Sequence, residues 1–243
     1  MQPRQRADLV LVERGLFDSR ARAQAAIAAG LVTADGRPVG KPSEMISPQA
    51  ELAAMPAHPW VSRGGVKLAG ALARYPLAVD GHVCLDVGAS TGGFTEVLLA
   101  QGARRVHAVD VGHGQLHARL RDDPRVDVRE HADIRTLTAA DFPERPDIVV
   151  IDASFISLKL VLPPALAIAA RPMSLLALIK PQFEAERRHS KKGIVRDDAV
   201  HAAVCDDITA FVQTLDGHDI AVFPSSIAGG DGNLEFFIGA RFG

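Results

Sequence analysis

Cysteine is nearly absent from this 243-residue chain: Cys84 and Cys205 stand far apart in sequence, each among apolar neighbours. A disulfide scaffold is excluded, and the usage fits a reducing compartment, so a cytoplasmic protein is expected. Long apolar runs are missing too. The most apolar stretch, Val161 to Ile179, is broken by Pro163, Pro164, Arg171 and Pro172, which argues against a membrane span. The opening MQPRQRADLV carries charge with no apolar segment behind it, so no secretory signal is expected. The single tyrosine, Tyr75, leaves no Tyr-x-x-x-Lys pair of the dehydrogenase kind. A strong charge of either sign is lacking, the net being -2. What is present is ordinary for a globular chain, 47% hydrophobic and 23% charged residues, which excludes dominant disorder. At roughly 150 residues per domain, the length suits one large domain or a medium one with a small one.

The charge becomes informative once it is divided. Residues 1–75 hold 10 Lys+Arg against 6 Asp+Glu, leaving 17 against 23 in the remainder, a +4 front on a -6 body. A basic front hints at a phosphate-bearing partner. Its pattern predicts a small α+β unit. Leu9, Val10, Val12 and Leu16 suggest a short amphipathic helix. Ser19 can cap a second helix, Arg20 to Ala29, with Gly30 as its stop. Asp35-Gly36 between Leu31–Ala34 and Arg37–Val39 reads as a hairpin turn. Lys41 to Pro59, with four prolines, runs from the edge of this unit into a linker. The run RADLVLVERGLFDSRARAQAAIAAGLVTADG resembles the alpha-L RNA-binding domain found in a ribosomal small-subunit protein, in pseudouridine synthases and in tyrosyl-tRNA synthetases. The resemblance implies that Arg14, Arg20 and Arg22 meet RNA backbone, contacts that give affinity without sequence readout.

From residue 82 onward, short β-type runs alternate with helical ones, the signature of a doubly wound α/β sheet. Strands are expected at 82–87, 105–110, 126–130, 147–152, 173–179, 220–223 and 234–240. Helices are expected at 94–101, 156–170 and 197–215. The first strand runs into Asp86-Val87-Gly88-Ala89-Ser90-Thr91-Gly92-Gly93, whose small residues let a ligand approach the backbone. Ser90 stands where a dinucleotide fingerprint needs its second glycine. Asp86 would repel a pyrophosphate but suits a cationic amino-acid group. Asp110, closing the second strand, is placed for ribose hydroxyls. The combination argues for S-adenosylmethionine over NAD, held by Asp86, Gly88, Ala89, Ser90, Gly92, Gly93 and Asp110. Asp133 is a candidate acceptor for the adenine amine, and Asp152 completes the set. No metal site is expected.

The chemistry is narrowed by elimination. The fourth strand is followed by Asp152-Ala153-Ser154-Phe155, not by an Asn/Asp-Pro-Pro-Tyr tetrad for exocyclic amines. Carbon-5 methylation of cytosine needs a cysteine nucleophile after the fourth or fifth strand, and neither cysteine is there. Charged residues at strand ends remain: Lys67 in SRGGVKL, Asp152, Lys180 in LIKPQFE and Glu235 in GNLEFF. A charge ending an apolar strand such as MSLLALI needs a partner or a task. These four match the Lys-Asp-Lys-Glu tetrad of ribose 2′-O-methyltransferases. VSRGGVKL, LDVGASTGGFTEVLL, AVDVGHGQL, DASFISL, LIKPQFE, GIVRD and GNLEFF, in this order, resemble the hemolysin-A-like (TlyA) family of ribosomal RNA cytidine-2′-O-methyltransferases. The likeness spans about residues 6 to 240. One departure is Asp133-Ile134-Arg135, where the family often has Asn, and it bears on the adenine contact.

The resemblance implies a Rossmann-like S-adenosylmethionine-dependent methyltransferase sheet behind an alpha-L domain. The expected division is 6–55 for the alpha-L domain, 56–63 for a linker and 64–243 for an FtsJ-like domain. The expected partner is ribosomal RNA or a ribosomal subunit, with no membrane, no obligate protein partner and a monomeric chain. Lys180 would be the general base, Asp152 would orient it, and Lys67 with Glu235 would position the hydroxyl. Positive charge from Lys67 and the sulfonium favours the uncharged amine at Lys180, and Asp152 opposes it. Arg63 and the basic run containing Lys191 and Lys192 would grip RNA at the crevice rim. Competing readings are a non-catalytic ribosome-assembly factor, a cytolysin and a dehydrogenase.

Overall fold

The computed structural model describes residues 3–186, 193–229 and 232–243 and divides into two compact units, Met1–Ser62 and Arg63–Gly243.

In the first unit, strand β1 (Gln5–Arg6) leads into helix α1 (Ala7–Glu13), followed by α2 (Arg20–Ala28). The buried face of α1 is Ala7, Val10 and Leu11, an i, i+3, i+4 stripe, with Asp8 beside it. The expected apolar set is thereby corrected: Leu9 and Val12 are half-buried, and Leu16 is exposed beyond the helix end. Ser19 caps α2 by accepting the Arg22 N–H, and Ala23, Ala26 and Ile27 are its buried face. Strands β2 (Val32–Ala34) and β3 (Arg37–Pro38) form the hairpin around Asp35 and Gly36, both at positive φ, as a tight twisted turn requires. Strand β4 (Met45–Ile46) pairs with β1, and β5 (Leu52–Ala54) pairs with β2, both antiparallel.

The second unit opens with α3 (Arg63–Arg74) and continues β6 (Val83–Val87), α4 (Gly93–Ala100), β7 (Arg105–Val109), α5 (Ala118–Arg121) and β8 (Val126–Arg129). Then come β9 (Ile148–Ile151), α6 (Leu158–Ile168), β10 (Met173–Ile179), α7 (Pro181–Glu184), α8 (Asp198–Thr214), β11 (His218–Pro224) and β12 (Phe236–Phe242). One sheet of order β11-β12-β10-β9-β6-β7-β8 results. It is parallel from β10 to β8, and β12 enters antiparallel between β10 and β11. β6, β9 and β10 read as near-continuous apolar runs because they lie inside the sheet, covered on both faces. The apolar side chains of α6 and α8 pack on the sheet with Leu85, Val149, Leu175 and Ile238. Strand order reverses between β6 and β9, so their carboxyl ends open a crevice, the place where such sheets take ligands. Among the described residues, no helix is long and apolar enough to cross a membrane.

Candidate active site

The turn after β6 forms the floor of the crevice. Gly88 sits at φ +84, and a Cβ there would lie 2.7 Å from the Asp152 carbonyl oxygen, so only glycine lets the turns after β6 and β9 touch. Gly92, at φ +94, is the N-cap of α4, and a Cβ on it would strike Leu116 and Leu120. Above the turn, Asp110 accepts the Ser90 N–H at 2.8 Å and the Gly112 N–H at 2.7 Å. A 620 Å³ cleft follows, lined among others by Gly88, Ser90, Asp110, Asp133, Asp152 and Phe155.

Other residues expected at the cofactor lie behind this surface. Ala89, Gly92 and Gly93 shape the turn without lining the cleft. Asp86 is fully buried and accepts the Thr95 hydroxyl at 2.6 Å, while its Oδ1 has no hydrogen-bond partner among the described residues. Burial pushes its carboxyl up to about 7. Asp133 lines the cleft but pairs with Arg135 at 2.6 Å, and that contact holds its carboxyl below the usual range.

The four charged residues fall into two ion pairs, with Lys67, Lys180 and Glu235 buried and Asp152 half-buried; Lys67, expected with the strand-end charges, stands instead within helix α3. Lys180 Nζ lies 2.6 Å from Asp152 Oδ1, and Lys67 Nζ lies 2.6 Å from Glu235 Oε2. The sheet explains why these residues meet. β10 pairs with β12 through Ile179 and Phe236, so Lys180 and Glu235 are the next residues beyond the ends of neighbouring strands. Asp152 immediately follows β9, on the other side of β10. Lys67 reaches this edge from α3, whose approach is set by glycine: a Cβ on Gly70 would lie 2.6 Å from Ser226 Oγ. Lys180 also donates to Ser154 Oγ at 2.8 Å.

Comparison with known proteins bears on this arrangement. An FtsJ-like methyltransferase model matches residues 60–242, and an S4 domain model matches residues 5–52. The chain is 44% identical over 244 residues to the 16S/23S rRNA (cytidine-2′-O)-methyltransferase TlyA of Mycobacterium tuberculosis, covering 99% of this chain and 91% of that protein. The chain belongs to the TlyA family of FtsJ-like methyltransferases. A solved structure named as a hemolysin, from Streptococcus thermophilus, superposes with TM-score 0.79 at 41% identity, over 100% of this chain and 90% of that one. A methyltransferase structure from Listeria monocytogenes, described as S-adenosylmethionine-dependent, matches 75% of this chain and 100% of its own at TM-score 0.54 and 16% identity, a likeness of fold alone.

The S4 unit holds 7 Lys+Arg against 6 Asp+Glu over residues 1–62, and the arginines expected at RNA are engaged internally. Arg20 pairs with the buried Asp8 at 3.0 Å, Arg22 with Asp18 at 2.9 Å, and Arg14 donates to the Ala50 carbonyl. The Arg20 side chain remains 52% exposed, whereas that of Arg22 is 16% exposed. Arg63, an expected RNA contact, donates to the Ala228 carbonyl at 2.5 Å. Lys191 and Lys192 lie outside the described residues.

Two features of this TlyA-family site escaped sequence reasoning. Phe155 is 90% exposed at φ +64 on the cleft wall, its ring 5.0 Å from that of Phe183. An aromatic in the turn after the fourth strand was the available signal. Glu130 accepts the N–H groups of Gly114, Gln115 and Leu116 and pairs with Arg121. The Leu116 N–H and Arg121 lead in holding its carboxyl down, to about 2. It thus anchors the loop that brings Gly112 and Gln115 to the cleft. Nothing in its local sequence marks it.

Proposed function

We propose that this chain methylates the ribose 2′-hydroxyl of a cytidine in ribosomal RNA, with S-adenosylmethionine as donor. The observation that carries the reading is the two Lys–carboxylate contacts, Lys180 with Asp152 and Lys67 of α3 with Glu235, with Asp152 also lining the cleft at the switch point of the sheet. The relative in Mycobacterium tuberculosis, named for this reaction, supports it.

The cleft fits the cofactor. Gly88 supplies a backbone with no Cβ in the way, and the Asp110 carboxylate, held by two backbone N–H groups, keeps acceptor capacity for a ribose diol. Gly88, Ser90, Asp110, Asp133 and Asp152 would hold it. When bound, S-adenosylmethionine supplies an electrophilic methyl on a sulfonium. The chain's own residues then do the proton work. A 2′-hydroxyl is a poor nucleophile near neutral pH. Lys180, having first released a proton to solvent, acts as the neutral amine and takes the hydroxyl proton as the oxygen attacks the methyl and the sulfonium leaves as a thioether. Asp152 and Ser154 fix the direction of the Lys180 amine. Lys67 and Glu235 hold the hydroxyl and its ribose. Exposed Phe155 offers a face for the target base, since single-stranded bases stack on aromatics. The S4 unit supplies backbone affinity through Arg14 and Arg20.

Purified protein, S-adenosylmethionine and ribosomal subunits from a strain lacking the modification give the test. Digestion to nucleosides and mass spectrometry should show 2′-O-methylcytidine. A methyl on the base, or none on any nucleoside, contradicts the reading.

A further inference from the structure

Glu184 lies outside the tetrad, yet both of its carboxylate oxygens are engaged by the end of the loop that begins with Asp152. Oε2 accepts the Ser157 hydroxyl at 2.5 Å, and Oε1 accepts the Leu158 N–H at 2.7 Å. Ser157 is the cap of α6, its hydroxyl accepting the Lys159 N–H at 3.2 Å. Glu184 therefore adds a negative charge where the helix has unsatisfied N–H groups. Burial pushes this carboxyl above its ordinary value, and the bonds from Leu158 and Ser157 offset only part of that.

The other residues of the Lys180 turn reach the same loop. Lys180 donates to Ser154, and the Phe183 ring packs on Phe155. Residues 154, 155, 157 and 158 are each held by a residue of 180–184. The front of the loop is fixed by β9, and its rear is fixed by Glu184. Between them stands Phe155 at positive φ, a conformation that a bulky residue keeps only when its surroundings impose it.

We propose that Glu184 is a positioning residue for methyl transfer: by fastening the start of α6 to the Lys180 turn, it keeps Asp152 and Ser154 on the Lys180 amine. The inference rests on Lys180 being the base. Small displacements at a reacting centre have large kinetic effects, while the cofactor-facing residues Gly88, Ser90 and Asp110 lie outside this loop.

The test uses full-length Glu184→Ala and Glu184→Gln, with kcat, KM for ribosomal subunits, cofactor affinity by calorimetry and a thermal melt. Glu184→Ala should lower kcat by roughly tenfold to a hundredfold. Its KM and cofactor affinity should change by less than kcat does, since Gly88, Ser90 and Asp110 keep their places and the lost interaction acts mainly on the transition state. Glu184→Gln should recover most of kcat, because its amide oxygen still accepts the Leu158 N–H. A parental kcat in Glu184→Ala overturns the proposal. So does a loss confined to KM or cofactor affinity, or one matched by a fall in folded fraction. If Glu184→Ala does not fold, Ser157→Ala removes one of the two contacts, and an unchanged kcat there overturns it equally. Lys180→Ala in the same assay separates the two claims: full activity in that variant removes the base assignment, whereas its loss beside a normal Glu184→Ala removes only the role of Glu184.

Discussion

Two buried aspartates respond to pH with opposite sign. Asp86 is raised to about 7 by burial, above the ordinary carboxyl range. Between about 4 and that value, the unfolded chain has released a proton that the folded chain holds, so this residue's contribution to stability falls as pH rises. Asp86→Asn keeps an acceptor for Thr95 and should flatten this part of the profile, as denaturant melts from pH 4 to 8 would reveal. Asp8 behaves the other way. Hydrogen bonds from Arg6, with Gln24 and Arg20, hold its carboxyl well below the usual range. Its contribution is complete above the unfolded value near 4 and is lost as pH falls below it. Asp8→Ala should cost about 2 kcal/mol at pH 7, the scale of hydrogen bonds to a charged group, and remove the acid-sensitive part of the melt.

At the scale of elements, Gly88 offers the sharpest expectation. Gly88→Ala meets both a positive φ and the Asp152 backbone, so it should lower the melting temperature and weaken S-adenosylmethionine binding by tenfold or more, about 1.4 kcal/mol. Calorimetry checks the binding, and cofactor affinity equal to the parent's would show that the two turns need not touch. The strands of the sheet were legible because runs such as MSLLALI and VCLDV are bounded by small or charged residues. The helix carrying Lys67 was not. Gly64, Gly65 and Gly70 are poor helix formers, and α3 stands through packing, with Ser226 donating to the Val66 carbonyl. The face of α1 was misjudged for a related reason: in a seven-residue helix one buried polar residue, Asp8, shifts the apparent apolar stripe. The strand-end charges were legible as a set because apolar strands make a terminal Lys conspicuous. Their grouping into Lys180 with Asp152 and Lys67 with Glu235 was implied by the resemblance alone; the contact geometry behind it depends on β12 entering antiparallel beside β10.

At the scale of the whole molecule, the +4 front does not coincide with the S4 unit: Arg63, Lys67 and Arg74 belong to α3 of the methyltransferase unit, and residues 1–62 hold 7 Lys+Arg against 6 Asp+Glu. If the front gives phosphate contacts, Arg20→Ala should weaken RNA binding about evenly across sequences and reduce the salt slope by about 1. Binding titrations at several salt concentrations would show it, and an unchanged slope would return Arg20 to a purely internal role with Asp8. The central claim concerns the base, and it is tested most directly by the single-turnover methyl-transfer rate of Lys180→Ala at saturating cofactor, with cofactor binding measured alongside. A drop of roughly 10²-fold or more with parental binding is the expected result. A near-parental rate in that variant would contradict the account.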